Sequence, residues 1–312
     1  FPLYSDLKGL NFTSGNVSAL KGFGQASSQF QYTAPTQAGN SGGPILNKYG
    51  SVINVNWEDQ DQLNKVLKNI DIVLHSFGPS AQKCADDPDI QISSYIKYTK
   101  NLLQAINKNT VMKAILLSSI HVYSRNLKGN ISEEDDTTND HPYALSKLGV
   151  ERIFKRTSNS NTKYFILRLS NCFGYPVGRS KNCWDLFVNN ICRESIKNNL
   201  LSIQNNPYIK RDFLPISYLC EVLESIMNNN IKEGLYNLTS GETRELLEFS
   251  EYIKNIIDDN YNTSIQIKYN KSHKKMNSFV LENEKLASQL PKILINYEEE
   301  IRKLYIYCRD KF

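Results

Sequence analysis

Residues 56–312 predict an α/β fold: an incomplete, doubly wound parallel sheet, preceded over residues 1–55 by a β-rich segment. Three observations carry this. Short, nearly all-apolar runs alternate with amphipathic stretches at helical spacing. The apolar runs end in Gly or Ser, as buried strands do where they reach a ligand-binding edge. The first 55 residues are instead rich in Gly, Ser, Thr and Gln and show no helical periodicity.

In the first segment "GNVSAL", "SQFQYTA" and "GSVINVN" read as short strands between turn residues. From residue 56 the rhythm changes. "DQDQLNKVLKNI" places Leu63, Val66, Leu67 and Ile70 on one helix face behind an acidic first turn. "DIVLHSFG" is a buried strand and "ISSYIKYTKNLLQAIN" a helix. "VMKAILLSSIHVY" is a strand with a Ser-rich end, "YALSKLGVERIFKRT" a helix, "KYFILRLSNCFG" a strand and "CWDLFVNNICRESIKN" a helix. Ligands of such sheets sit at the carboxyl ends of the strands, here Ser76–Pro79, Ser118–Tyr123 and Asn171–Tyr175.

Composition narrows the classes. The chain has 312 residues, 40% of them hydrophobic and 22% charged, enough for a packed core. A net charge of +5 spread along the chain gives no nucleic-acid or membrane patch. No apolar run reaches the roughly 20 residues of a membrane helix. The six cysteines form no CxxC pair and no zinc spacing with histidine, so no metal site and reduced cytoplasmic thiols are expected. The first residue is Phe, and the pattern starts abruptly, as if an earlier part of the chain were missing.

Two chemical patterns stand out. The first is "QAGNSGGPIL". Gly39, Gly42 and Gly43 allow a tight turn that exposes Ser41, and the N–H groups of Gly39 and Ser41 can face an oxyanion. This stretch resembles the C-terminal barrel of trypsin-like peptidases. That family places its His and Asp ahead of the Ser. Here no His precedes Ser41 and the sole preceding Asp is Asp6. The segment is thus expected to be a fragment of such a protein, with Ser41 as an alternative hydrolase nucleophile and a fusion near residue 55.

The second pattern is "HPYALSK", which sets Tyr143 and Lys147 four apart on one helix face. An ammonium beside the phenol is expected to lower its pKa for acid/base work. Ser119, at the end of "LLSSIHVY", can reach the same substrate oxygen. With "SSIHVY", "PYALSK", "RLSNCFGYP", "RDFLPI" and "YNLTSGE" in this order, residues 56–312 resemble an extended short-chain dehydrogenase/reductase of the NAD-dependent epimerase/dehydratase group, which acts on nucleotide sugars.

The resemblance implies a Rossmann-like sheet and a small C-terminal substrate region. It implies Ser119, Tyr143 and Lys147 as catalytic residues. It implies NAD or NADP as cofactor, beside Phe77, Gly78, Tyr143 and Lys147. It implies a nucleotide-sugar substrate held by Ser119, Asn171 and Arg211, and leaves a homodimer open. Two departures accompany it. The family's opening Gly-rich turn is not recognisable, since "GFGQAS" (Gly22–Ser27) has neither a buried strand before it nor a helix after it. Tyr95 stands where the family commonly has Asn. Catalysis therefore lacks a visible pyrophosphate cradle, and a non-catalytic fusion product is the remaining alternative. Without its first two strands the sheet is also expected to have an apolar edge, unless the N-terminal segment covers it.

Overall fold

The computed structural model describes residues 17–19, 31–32, 45–46, 52–53, 56–157, 161–176 and 182–312. In the N-terminal segment, β1 (Val17–Ala19) pairs antiparallel with β2 (Gln31–Tyr32), and β3 (Ile45–Leu46) with β4 (Val52–Ile53). β1, β2 and β4 fall within the strings that read as short strands, and β3 is additional to them. Ser41, its glycines and Gly22–Ser27 lie outside the described residues.

The α/β part runs α1 (Gln60–Leu67), β5 (Ile72–His75), α2 (Ala81–Asp86), α3 (Pro88–Asn107), β6 (Lys113–Ser119), β7 (Gly129–Ile131), α4 (Pro142–Arg156), β8 (Lys163–Leu169) and β9 (Asn171–Phe173). It continues through α5 (Phe187–Asn198), β10 (Leu200–Ile203), β11 (Lys210–Pro215), α6 (Ile216–Asn228), β12 (Gly234–Leu238), β13 (Thr243–Glu245), α7 (Leu246–Tyr261), β14 (Gln266–Tyr269), β15 (Phe279–Leu281), α8 (Glu284–Ala287) and α9 (Tyr297–Lys311).

Four of these strands form the parallel sheet, in the order β12-β8-β6-β5. Alternate side chains of its central strands feed two cores. Leu116 and Ile166 face Leu63, Leu102, Ile106 and Phe154 from α1, α3 and α4. Ile115, Phe165 and Leu167 face Leu219, Val222 and Ile226 of α6. Each such fully buried side chain contributes about 1.5–3 kcal/mol. This two-sided burial is why the strands read as unbroken apolar runs.

Among the described residues β5 bonds to one sheet neighbour, β6, and β3 of the N-terminal segment lies near β5.

The run "KYFILRLSNCFG" forms two strands instead of one. Ser170 N–H bonds Leu238 O at 3.1 Å, and the chain then leaves the main sheet. β9 joins β11, and β13 completes a three-stranded sheet, so Asn171 passes to a second layer. That layer packs with α5, α7 and α9 around Phe213, Phe249, Ile253 and Leu304. It forms the C-terminal region expected to hold substrate.

Helix starts follow local chemistry. Asp87 caps α3, accepting from Ile90 N–H, with Pro88 at the first turn. At α4, Pro142 opens the helix and His141 Nδ1 accepts the Tyr143 N–H at 3.1 Å. This cap fixes the first turn of the helix that carries Tyr143 and Lys147.

Candidate active site

β6 ends at Ser119, and a single 3-10 turn, Ile120–Val122, follows. The Ser119 hydroxyl accepts the His121 N–H at 3.2 Å and is within hydrogen-bonding reach of the Tyr143 phenol. Tyr143 and Lys147 stand one turn apart on α4, with Lys147 Nζ 5.6 Å from the Tyr143 ring centroid. The structure therefore brings Ser119, Tyr143 and Lys147 together at the carboxyl edge of the sheet.

A cavity of about 690 Å³ opens beside Tyr143 and Lys147. Ser76, Pro79, Leu117, Ser118, Tyr143 and Lys147 are among its walls, so two of the three strand ends singled out from sequence meet there. A second cavity of about 290 Å³ is walled by Asn171, Lys210 and Arg211, among others. His121, Arg125 and Asn139 line both. Asn171 Nδ2 donates to Asp212 O at 2.9 Å, and the parallel pairing of β9 with β11 holds Asn171 and Arg211 at one end.

Arg211 does not pair with Asp212. The Asp212 carboxylate accepts Ser240 N–H at 2.9 Å, Gly241 N–H at 3.1 Å and Ser240 O–H at 2.8 Å. Burial pushes its pKa up to about 6, against the pull of these bonds. Arg211 forms no salt bridge among the described residues, which leaves its guanidinium on the second cavity.

The electrostatics differ from expectation in one respect. Lys147 does not lower the Tyr143 pKa. Burial raises it, and the Ser119 hydrogen bond pulls back only in part. The physical reason is the same low-dielectric surrounding that acts on Lys147, whose pKa burial brings down to about 8. Cys84 and Glu151 oppose that fall. At neutral pH the site thus holds a protonated phenol and an ammonium.

Gly78 is where Lys147 and Tyr95 approach the chain. A Cβ there would lie 3.1 Å from Lys147 Nζ and 3.2 Å from Tyr95 Cζ. Tyr95 is fully buried, its hydroxyl has no hydrogen-bond partner, and Lys147 Nζ lies 5.4 Å from its ring centroid. The Phe77 ring is half-buried and packs against Trp57 at 5.5 Å and Tyr95 at 5.7 Å, on the α3 side. An apolar ring next to that aromatic group gains more from burial than from a wet cavity wall.

Several polar neighbours of this site were not legible in the sequence. His121, Arg125, Asn139 and His141 line the larger cavity. Of these, His121 had a signal, since it sits inside the strand-end string "SSIHVY". Among the described residues no group of His, Cys, Asp and Glu could hold a metal ion, and no helix is long and apolar enough to cross a membrane.

Residues 22–239 match the NAD dependent epimerase/dehydratase family. The chain belongs to this family. The match begins inside the N-terminal segment and includes Ser119, Tyr143, Lys147, Asn171 and Arg211. The chain is 22% identical over 205 residues to ADP-L-glycero-D-manno-heptose-6-epimerase of Brachyspira hyodysenteriae, covering 63% of each protein. It is 47% identical over 64 residues to an uncharacterized protein, y4bJ, of Sinorhizobium fredii, which is 20% of this chain and 10% of that one. The chain thus spans less than two thirds of the length of both curated relatives. Among solved structures, UDP-glucuronic acid 4-epimerase of Bacillus cereus, in complex with UDP-glucuronic acid and NAD, superposes with a TM-score of 0.69. Identity is 20%, over 86% of this chain and 84% of that one. That likeness establishes the Rossmann-like fold which the family shares.

Proposed function

We propose that this chain is an NAD-dependent oxidoreductase of nucleotide sugars, with Tyr143 as its acid/base residue. The observation that supports this most is Ser119 within hydrogen-bonding reach of Tyr143, with Tyr143 and Lys147 both lining one cavity. The B. cereus structure, described as a complex with UDP-glucuronic acid and NAD, gives the ligand classes to test.

The residues present suit the nicotinamide-ribose end of the cofactor. Lys147 donates one long bond, to Leu117 O at 3.4 Å, which leaves ammonium protons for ribose hydroxyls. The Tyr95 hydroxyl, without a partner among the described residues, and Gly78 adjoin the same ammonium. When bound, the nicotinamide supplies the hydride acceptor or donor. Everything else is the work of this chain. Ser119 fixes the substrate oxygen. Tyr143, protonated at rest, gives its proton to a carbonyl oxygen or, once ionised, takes one from a hydroxyl. Lys147 places positive charge beside the phenol and so favours ionisation when substrate draws the two together. Arg211 pairs with the diphosphate of the nucleotide, and its planar fork suits two phosphate oxygens. Asn171 donates beside it.

The test is paired. NADH is titrated against the purified chain by fluorescence, and UDP-sugars by calorimetry. Saturable binding of both, with loss of UDP-sugar affinity in Arg211→Leu, supports the reading. No saturable NADH binding at millimolar concentration overturns it.

A further inference from the structure

The two cavities share a wall that includes His121, Arg125 and Asn139. On one side of it stand Tyr143 and Lys147, on the other Asn171, Lys210 and Arg211. Arg125 therefore lies between the phenol and the residues proposed for the diphosphate, along the stretch a sugar ring would occupy. Its guanidinium is held from the connection that leads into α4. Nε donates to Asn139 Oδ1 at 3.2 Å. Asn139 is itself fixed: its Nδ2 donates to His121 O at 2.7 Å, and its Oδ1 accepts the His141 N–H at 3.0 Å. Arg125 Nη2 lies 2.9 Å from Asp140 Oδ1, and Nη1 has no partner among the described residues.

Charge balance gives this arginine no task beside a neutral sugar. No Asp or Glu lines either cavity among the described residues. Lys147 serves the ribose end of the cofactor, and Arg211 with Lys210 beside it matches the charge on each phosphate of a nucleoside diphosphate. The pair with Asp140 does not account for Arg125 either. Asp140 lines neither cavity, its side chain is 84% exposed and that of Arg125 58%, and an ion pair so wet contributes little. An anion on the ligand can take over the guanidinium at small cost while the Asn139 bond stays in place.

We propose that Arg125 binds a carboxylate carried by the sugar, so that the substrate class is a nucleotide sugar with an acidic hexose. The proposal rests on the reading of Tyr143 and Arg211 given above and narrows it. With Asp140 released, Nη1 and Nη2 offer parallel N–H groups to the two oxygens of one carboxylate, a match that an ammonium lacks. A hydroxymethyl group at the same place leaves the guanidinium to Asp140 and water. The choice between acidic and neutral sugars thus falls to a residue apart from the groups that move the proton.

The experiment uses the full chain and titration calorimetry with UDP-glucuronic acid and UDP-glucose, which differ by a carboxylate against a hydroxymethyl group at C6. Each is titrated at low salt into the wild type, Arg125→Leu and Arg125→Lys, with a melting curve for every chain. The wild type is expected to bind UDP-glucuronic acid about 10-fold or more tightly than UDP-glucose. In Arg125→Leu that ratio should fall to about one, and in Arg125→Lys it should lie between, because charge remains and the fork is lost. Added salt should narrow the wild-type ratio, since the guanidinium is open to solvent. Saturable binding of both sugars to the wild type, with UDP-glucuronic acid no tighter than UDP-glucose, overturns the assignment and leaves the oxidoreductase reading intact. So does a wild-type ratio in a folded Arg125→Leu chain. No saturable binding of either UDP-sugar to the wild type overturns both.

Discussion

Glu151 and Arg168 meet in a two-pronged pair closed to water: Arg168 Nε donates to Oε1 at 3.1 Å and Nη2 to Oε2 at 2.8 Å. Their side chains are 1% and 2% exposed. The pair ties α4 to β8, two turns beyond Tyr143 on the same helix face. Ser118 O–H adds a bond to Glu151 at 2.5 Å, and the guanidinium lies over the Tyr123 ring at 4.8 Å. The neighbour of Ser119 is thereby fastened to the helix of Tyr143.

Removing one partner leaves a buried charge without compensation. Glu151→Ala is expected to cost about 3–5 kcal/mol of stability by urea denaturation, and the double change Glu151→Met with Arg168→Met much less. Equal losses in the single and double variants would show that the pair contributes no charge compensation.

Tyr143→Phe removes the proton carrier and keeps the ring. Turnover of a UDP-sugar with NAD is expected to fall by about 10²–10⁴-fold, with UDP affinity unchanged. Ser119→Ala should cost less, because in the proposed reaction Ser119 positions the oxygen by hydrogen bonding and transfers no proton. A Tyr143→Phe chain that keeps wild-type kcat would remove the acid/base role.

Lys147 gives a pH signature in stability. Its folded pKa of about 8 lies below the ordinary 10.5, so the unfolded chain holds more protons between those values. Its contribution to stability is present above about 10.5, declines as pH falls towards 8 and is lost below. Lys147→Met should remove that slope and stabilise the fold at pH 7 by about 1–3 kcal/mol, while weakening NADH binding. Thermal melts of both chains between pH 7 and 10 check the sign.

Gly174 sits at φ +154°, where a Cβ would lie 2.4 Å from Ile216 Cγ2 and 2.6 Å from Glu300 Oε1. Both neighbours belong to packed helices, α6 and α9. Gly174→Ala is therefore expected to destabilise by about 2–5 kcal/mol, from strain and overpacking together. A melting temperature equal to wild type would show that the junction after β9 can shift.

The layers of this fold were legible because two-sided burial writes itself as apolar runs: Ile115, Leu116, Phe165 and Ile166 have no wet face to encode. The break at Ser170 was not legible, since its cause is a bond to Leu238, distant in sequence. The nearness of Tyr143 to Lys147 was legible through spacing, which a helix converts directly into a shared face, and that of Ser119 through its place at a strand end. Arg125 and Asn139 escaped, because they reach the cavity from a long connection with no periodicity. The packing of the Phe77 ring on Trp57 and Tyr95 was not legible either, because adjacency to a strand end does not say which way a ring turns. The phenol pKa was misjudged because spacing reports a nearby ammonium and is silent on desolvation.

Helix α4 carries Tyr143, Lys147 and Glu151 at four-residue steps, so acid, cation and anchor share one rigid shaft. Inserting a single residue between Tyr143 and Glu151 would turn one end by about 100° against the other. Either the phenol would leave the cavity or the carboxylate would leave its arginine. A length change there would therefore separate the cavity from the buried ion pair, whichever end moved.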